Sequence, residues 1–315
     1  MSITLAQVIV SGLLLGAVYA LFSSGLTLIW GMMNVVNFAH GDFVMLGMYS
    51  AVMVWTALGG GPFAAVPVAA MLIATLGVLS YFLLVRHIMK GPMLAQILGT
   101  FGLALFLRYT AFWYFGANFK TLPDTVVGGS FTLFDIRFEG SRVLAGGMGL
   151  AVTLALHLIL TRTAIGSRML AVSEDATAAQ LMGIRPLYAK LTAFAISSFI
   201  IGVAGALWAF IYLGAWEPLA FNIDRSFQLL FMVIIGGLGS ILGSFLGAAF
   251  ILILPILLDQ VPHALGAPIS VETVSLLVFV VTGALICWLL IVEPHGFARL
   301  WSIGKEKLRL WPYPY

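Results

Sequence analysis

Four polar residues, Asn34, Asn37, His40 and Asp42, stand together between two apolar runs of this 315-residue chain. One imidazole and one carboxylate two residues apart are too sparse a ligand set for a metal. Polar groups at membrane depth are costly, and they line a cavity or pair with one another. The cluster therefore reads as a kinked segment lining a translocation path. The same residues also fit a membrane-edge turn, with Asp42 capping the helix that follows. The sequence admits both. Arg108 lies within another apolar run, beside Phe106, Leu107 and Tyr109. An arginine there serves the same path or snorkels to an interface. Glu174 and Asp175 form an adjacent carboxylate pair. Neighbours on a helix diverge by about 100°, so the two do not address one substrate together. A solvated or partner-facing role fits them better. No G-x-x-x-x-G-K-[ST], H-E-x-x-H, G-x-S-x-G or C-x-x-C occurs. The chain carries no visible catalytic apparatus, metal site or Walker-type nucleotide site.

The elements that must hold these residues are membrane segments. The chain is 62% hydrophobic and 9% charged, with a mean hydropathy of +1.10; soluble domains carry roughly 25% charged residues. The expected fold is all-α, a polytopic transmembrane helical bundle. At ~20 residues per span the length allows about eight to ten membrane segments, some broken or re-entrant. The formal charge of +3 is scattered among loops and does not point to nucleic acid. Cys287 is the lone cysteine, so no intrachain disulfide forms. The first apolar run reads as a retained span.

Apolar runs cover Leu5–Trp30, Phe43–Leu58, Phe63–Val85, Leu94–Gly116, Val143–Leu160, Leu191–Gly214, Phe227–Leu258 and Val274–Val292. Gly236 to Ser240 splits the seventh. Gly239, Gly243 and Gly247 recur at four-residue spacing, which predicts a glycine face for close helix packing. Broken segments at 31–47 and 236–247 occupy corresponding places in the two halves, a pointer to a transport pathway. Arg86, Lys90, Arg162, Arg168, Arg185, Lys190, Arg299, Lys305, Lys307 and Arg309 fall on one side. Lys120, Arg137, Arg142 and Arg225 fall on the other. The richer side is cytoplasmic by the positive-inside bias. That puts 162–187 and the tail 293–315 inside, and the segment 117–142 outside. The N-terminus is outside if residues 31–42 cross fully and inside if they are re-entrant.

The stretch from Arg162 to Pro186 is the longest polar break on the basic side. Met169, Val172, Ala176, Ala179 and Met182 fall at steps of three and four, predicting one amphipathic helix over Met169–Met182. Gly183 can stop that helix in the left-handed region, and Pro186 blocks its resumption. Such a helix is a handle for a soluble partner or a connecting surface helix.

Four motifs occur in register. They are NFAHGD at 37–42, RTxxGxxxxA from Arg162 running on to DxxxAxxMGI from Asp175, GGxGSxxG from Gly236, and EPxG from Glu293. Together they resemble the membrane permeases of branched-chain amino acid ABC importers, and more closely the shorter of the two permeases that pair there. The resemblance covers nearly the whole chain. It implies one transmembrane permease domain over 1–315 in a bacterial inner membrane, surrounded by lipid. It implies a second permease, two cytoplasmic ATP-binding subunits and a periplasmic substrate-binding protein as partners. ATP and Mg would sit on the ATPase subunits, and this chain would bind no cofactor. The loop 162–187 would be the coupling element, with Met169, Val172, Glu174, Asp175, Ala179, Met182 and Gly183 at the contact. Segment 117–142 would be periplasmic. Members similar to this family also import urea, short amides and small carboxylates. A self-sufficient secondary carrier is the competing reading of the broken helices and Arg108.

Overall fold

Backbone polar groups in a bilayer must be satisfied within the segment that carries them, and the apolar runs do this as helices. A computed structural model describes residues 2–58, 61–116, 129–133, 136–211, 223–237, 239–264, 270–292 and 296–310. In chain order the helices are α1 (Ser2–Met33), α2 (His40–Leu58), α3 (Gly61–Ser80), α4 (Arg86–Ile88) and α5 (Met93–Phe115). A π-helical turn, Tyr81–Val85, joins α3 to α4. A hairpin of β1 (Ser130–Leu133) and β2 (Ile136–Glu139) follows. Then come α6 (Gly140–Arg162), α7 (Ala164–Glu174), α8 (Ala176–Leu181), α9 (Pro186–Ile211), α10 (Ile223–Gly236), α11 (Ile241–Ala264), α12 (Val271–Val292) and α13 (Gly296–Leu310).

Among the described residues six helices are long and apolar enough to cross a membrane: Val10–Met33, Ala64–Ile88, Met93–Phe115, Gly140–Arg162, Pro186–Phe210 and Ile241–Asp259. Ser226–Gly236 and Glu272–Trp288 are shorter apolar helices. The protein is a multi-pass, helical membrane protein. One part is not α. In the expected outer segment 117–142, β1 and β2 pair antiparallel, Ser130 opposite Glu139 and Leu133 opposite Ile136. Phe131 and Phe138 stack at 5.2 Å on one face. Gln7 ties the hairpin to the start of α1, accepting from the Arg137 N–H at 2.6 Å and donating to its carbonyl at 2.7 Å. Residues 117–128 and 134–135 of that segment lie outside the described residues.

The core is built on α1, α2, α3 and α9, and small residues let the backbones approach. A Cβ at Gly47 would lie 3.2 Å from Gly202 Cα, and one at Gly205 would collide with the Val44 carbonyl of α2. Ser197 of α9 donates to the Gly25 carbonyl of α1 at 2.6 Å. Such small-residue seams replace the hydrophobic drive that lipid removes.

Asn34 ends α1. Its φ is +53° and its N–H reaches the Trp30 carbonyl at 2.8 Å, a left-handed helix stop. The chain then runs back along the bundle instead of away from it. Thr100 of α5 donates to the Val36 carbonyl at 3.2 Å. His40 reaches the Phe22 carbonyl at 2.7 Å. Phe22 precedes Met33 by about three turns, roughly 16 Å of helix, so α2 begins part-way along α1. It continues beside α9, with Trp55 5.4 Å from Phe210. The segment 31–42 thus doubles back along α1 before α2 begins. It dips back as extended chain and finishes the return as helix. The N-terminal end of α1 lies with the hairpin, away from its own Asn34 end.

A second break separates α10 from α11. Gly237 and Gly239 take φ of 116° and 83°, conformations that favour glycine. The helices then pack backbone to backbone. A Cβ at Gly243 would strike the Gly236 carbonyl, and one at Gly247 the Met232 carbonyl. Gly239 has no atom within 4 Å of its would-be Cβ. It belongs to the turn and not to the packed face, because the break interrupts the four-residue repeat. Gly236 stands in that face instead. Gly247→Ala is expected to cost about 1–3 kcal/mol through overpacking. Gly102→Ala, on an open helix face, is expected to cost nothing. Thermal unfolding in detergent separates the two; equal melting temperatures would remove the packing role. Gly296 closes the same region: its φ is +65°, and its Cβ would lie 2.6 Å from the Gly237 nitrogen.

Candidate functional site

Two places gather the chemically distinctive residues. The first is a buried node where α2 begins. Arg108 donates through Nε to Asp42 Oδ1 at 2.8 Å and through Nη2 to Oδ2 at 3.1 Å. The Asp42 side chain is 0% exposed and that of Arg108 9%. This two-pronged geometry is the strong form of a charged hydrogen bond. Asp42 also sits in the first turn of α2, where the helix dipole favours a carboxylate. Asn37, not Asp42, caps the helix: its Oδ1 accepts from the Ala39 N–H at 3.1 Å, and its carbonyl accepts from the His40 N–H at 3.2 Å. His40 Nε2 faces a carbonyl and must donate to it, which leaves Nδ1 as the acceptor. Nδ1 is buried with no hydrogen-bond partner. The Ser226 Oγ, in the first turns of α10, is in the same condition. The two helix starts touch, for a Cβ at Gly41 would lie 2.5 Å from that oxygen. Phe38 and Phe227 meet edge to face at 5.7 Å beside them.

The node departs from a path-lining segment. Asn37, His40, Asp42 and Arg108 are buried in the packed interior of this one chain, and Asn34 alone is exposed, as the stop of α1. Nor does Arg108 snorkel; its guanidinium turns inward to Asp42. What the arrangement does is hold α2 to α5 at a charge pair and to α1 through His40.

The second place is the elbow between α6 and α9. The expected single helix is two. Thr163 caps α7 by accepting from the Gly166 N–H at 3.3 Å. At Asp175 the backbone turns extended, with φ −150° and ψ 104°. Asp175 Oδ1 accepts from the Thr177 and Ala178 N–H groups at 2.8 and 3.0 Å, which caps α8. The helix is interrupted because this side chain offers the next turn a better start than continuation. Gly183, at φ +83°, ends α8. Its N–H bonds the Gln180 carbonyl at 3.0 Å, and that of Ile184 bonds the Ala179 carbonyl at 2.9 Å, a Schellman stop. Pro186 opens α9, where its missing N–H costs nothing; it starts the next helix as well as ending the loop.

Met169, Val172 and Ala179 point into the protein. Ala176 is half-buried. Met182 does not share their face: it is 83% exposed, next to Leu181 at 85%. These two form an apolar knob at the tip of the elbow. Leu181 escaped the spacing pattern, which sought only inward residues. The signal was two large apolar residues just ahead of a helix-stopping glycine. Glu174 is exposed, whereas Asp175 is committed to its cap. Behind the knob lies a groove of about 540 Å³ bordered by Arg168, Met182, Arg185 and Tyr188. The Arg185 guanidinium sits 5.8 Å from the Tyr188 ring centre.

A family model described as branched-chain amino acid transport system / permease component matches residues 8–287. The chain belongs to this family. It is 27% identical over 276 residues to the high-affinity branched-chain amino acid transport system permease protein BraD of Pseudomonas aeruginosa, covering 84% of this chain and 86% of BraD. It is 25% identical over 307 residues to the corresponding permease protein LivH of Escherichia coli, covering 92% of this chain and 94% of LivH. It is also 28% identical to LivM of the same bacterium over 258 residues, which cover 75% of this chain and 60% of LivM. No solved structure matches.

In this permease the four sequence motifs fall on the turns. NFAHGD makes the return into α2, RTxxGxxxxA and DxxxAxxMGI make the elbow, GGxGSxxG makes the α10–α11 break, and Gly296 of EPxG packs on that break. Glu293 to His295 lie outside the described residues. Residues 215–222, ahead of Arg225 on the side expected to face out, do so as well.

Proposed function

We propose that this chain is the membrane-spanning permease subunit of a binding-protein-dependent ABC importer for branched-chain or related amino acids. The family match over residues 8–287 carries the reading. In it, α2, α10 and α12 join the six longer helices as membrane segments, within the eight to ten expected from length. The basic end faces the cytoplasm: it holds the elbow 162–187 and the tail 293–315. Segment 117–142 faces the periplasm and meets the substrate-binding protein. A second permease completes the pathway in the inner membrane. Similarity to both LivH and LivM supports a pair of like-folded permeases.

The elbow is the drive contact. Met169, Val172 and Ala179 anchor it to the membrane domain, and Leu181, Met182 and Gly183 form the surface that two cytoplasmic ATP-binding subunits grip. Glu174 borders that surface. Asp175 shapes it by separating α7 from α8. ATP and Mg belong to the partner subunits. The Asp42–Arg108 pair positions α2 beside the pathway and does not itself touch the solute. Gly236, Gly243 and Gly247 make α10 and α11 one rigid unit.

The test is co-purification of the tagged chain from cells that also express its neighbouring genes. ATP-binding subunits and a second permease are expected in the complex. A chain that purifies alone and carries solute on an ion gradient would refute the assignment.

A further inference from the structure

The last helix, α13, leaves a groove that neither the fold nor the transport reading uses. Gly296 fixes its start against the α10–α11 break, and Phe297 meets Phe250 of α11 edge to face at 5.4 Å. Beyond that contact the two helices part. The space between them is about 560 Å³. Leu246 and Phe250 form one wall; Leu300, Trp301 and Leu308 form the other. Leu246 and Phe250 belong to the apolar span Ile241–Asp259, so one wall of the groove is part of a membrane segment. Gly304 borders it, and a Cβ there would meet no atom within 4 Å. Trp301 and Leu308 are exposed.

The charge around the groove identifies its occupant. Lys305 is the charged residue of the lining. Trp301, Lys305 and Arg309 recur every four residues and so form one edge of α13. Lys307 lies on the other edge by the same helical spacing. All three cations are exposed. An apolar slot between a membrane span and an amphipathic tail helix takes a hydrocarbon chain. Cations at its rim, beside an interfacial tryptophan, take an anionic headgroup. We infer that the α11–α13 groove is a binding site for one anionic phospholipid, its acyl chain between Phe250 and Leu308 and its headgroup on Lys305 and Arg309. The inference needs only the membrane fold and is independent of what the permease carries.

Native mass spectrometry of the full chain, with the subunits that accompany it, tests the site. The probes are phosphatidylglycerol and phosphatidylcholine with identical acyl chains. Two cations near one headgroup predict tighter binding of phosphatidylglycerol by about 30-fold. Lys305→Glu/Arg309→Glu is expected to abolish that preference. Gly304→Leu places its Cβ in open space and its side chain at the edge of the slot, and is expected to lower phosphatidylglycerol binding with both cations still present. Equal binding of the two lipids to the unaltered protein would overturn the site. So would a preference that survives both variants, or a partner subunit found seated on Trp301 in the complex. If the charge-reversed chain fails to fold, the lipid comparison and Gly304→Leu decide.

Discussion

Asp42→Ala is expected to destabilise the protein by about 3–5 kcal/mol, the cost of leaving a buried charge without its partner. Arg108 would remain in the core, its side chain 9% exposed, with two donors aimed at nothing. The pair spans 66 residues of sequence and ties α2 to α5, so its loss also frees the helix that returns from Asn34. Asp42→Ala/Arg108→Met removes both charges and is expected to recover most of the loss, since apolar replacements of a buried pair are often neutral. The Glu139–Arg142 pair provides the contrast. Its nitrogen–oxygen distance is similar, 2.9 Å, but its side chains are 48% and 41% exposed. Glu139→Ala should cost no more than about 1 kcal/mol. Melting temperatures in detergent rank the four proteins. An Asp42→Ala protein that melts with the unaltered one would show that the ion pair holds nothing.

Leu181→Asp/Met182→Asp is expected to abolish ATP-driven uptake while leaving the membrane domain folded. Both side chains are more than four-fifths exposed, so the fold loses no buried contact. A partner that covers them buries two apolar side chains worth about 1.5–3 kcal/mol each. Placing carboxylates there should weaken docking of the ATP-binding subunits at least about 100-fold. Glu174→Gln alone should change affinity several-fold or less, because an exposed charge at a contact rim contributes little. Pull-down of the ATP-binding subunits and uptake in whole cells report the two effects separately. Full docking by the double variant would move the drive contact off the tip of the elbow.

These expectations rest on residues that differed in how far the sequence disclosed them. The breaks near 31–42 and 236–240 were legible because polar residues and glycines interrupt apolar runs, and lipid tolerates neither without compensation. Asp42 and Arg108 each stood out for one reason, a charge at membrane depth. Their pairing did not, because spacing along the chain carries no information about which helices become neighbours. The elbow was legible as amphipathic and stopped by Gly183. Its spacing reads as one helix because Asp175 also fits the polar face, although its short acceptor side chain is a strong helix starter. The hairpin at 130–139 is not legible within the expected outer segment 117–142, because Phe131, Leu133, Ile136 and Phe138 carry a strand period of only a few residues. At Gly239 the four-residue repeat was correct as arithmetic, but the turn intervenes. Ser226 and the unsatisfied Nδ1 of His40 became visible only when the starts of α2 and α10 were seen in contact.

Amino-acid uptake in proteoliposomes of defined composition tests the permease assignment. The chain is reconstituted alone, and then with its second permease, both ATP-binding subunits and the substrate-binding protein. No uptake of labelled leucine is expected from the chain alone, with or without an ion gradient. Uptake by the full assembly is expected to require ATP on the side of the elbow. Gradient-driven uptake by the isolated chain, unaffected by ATP, would contradict the assignment.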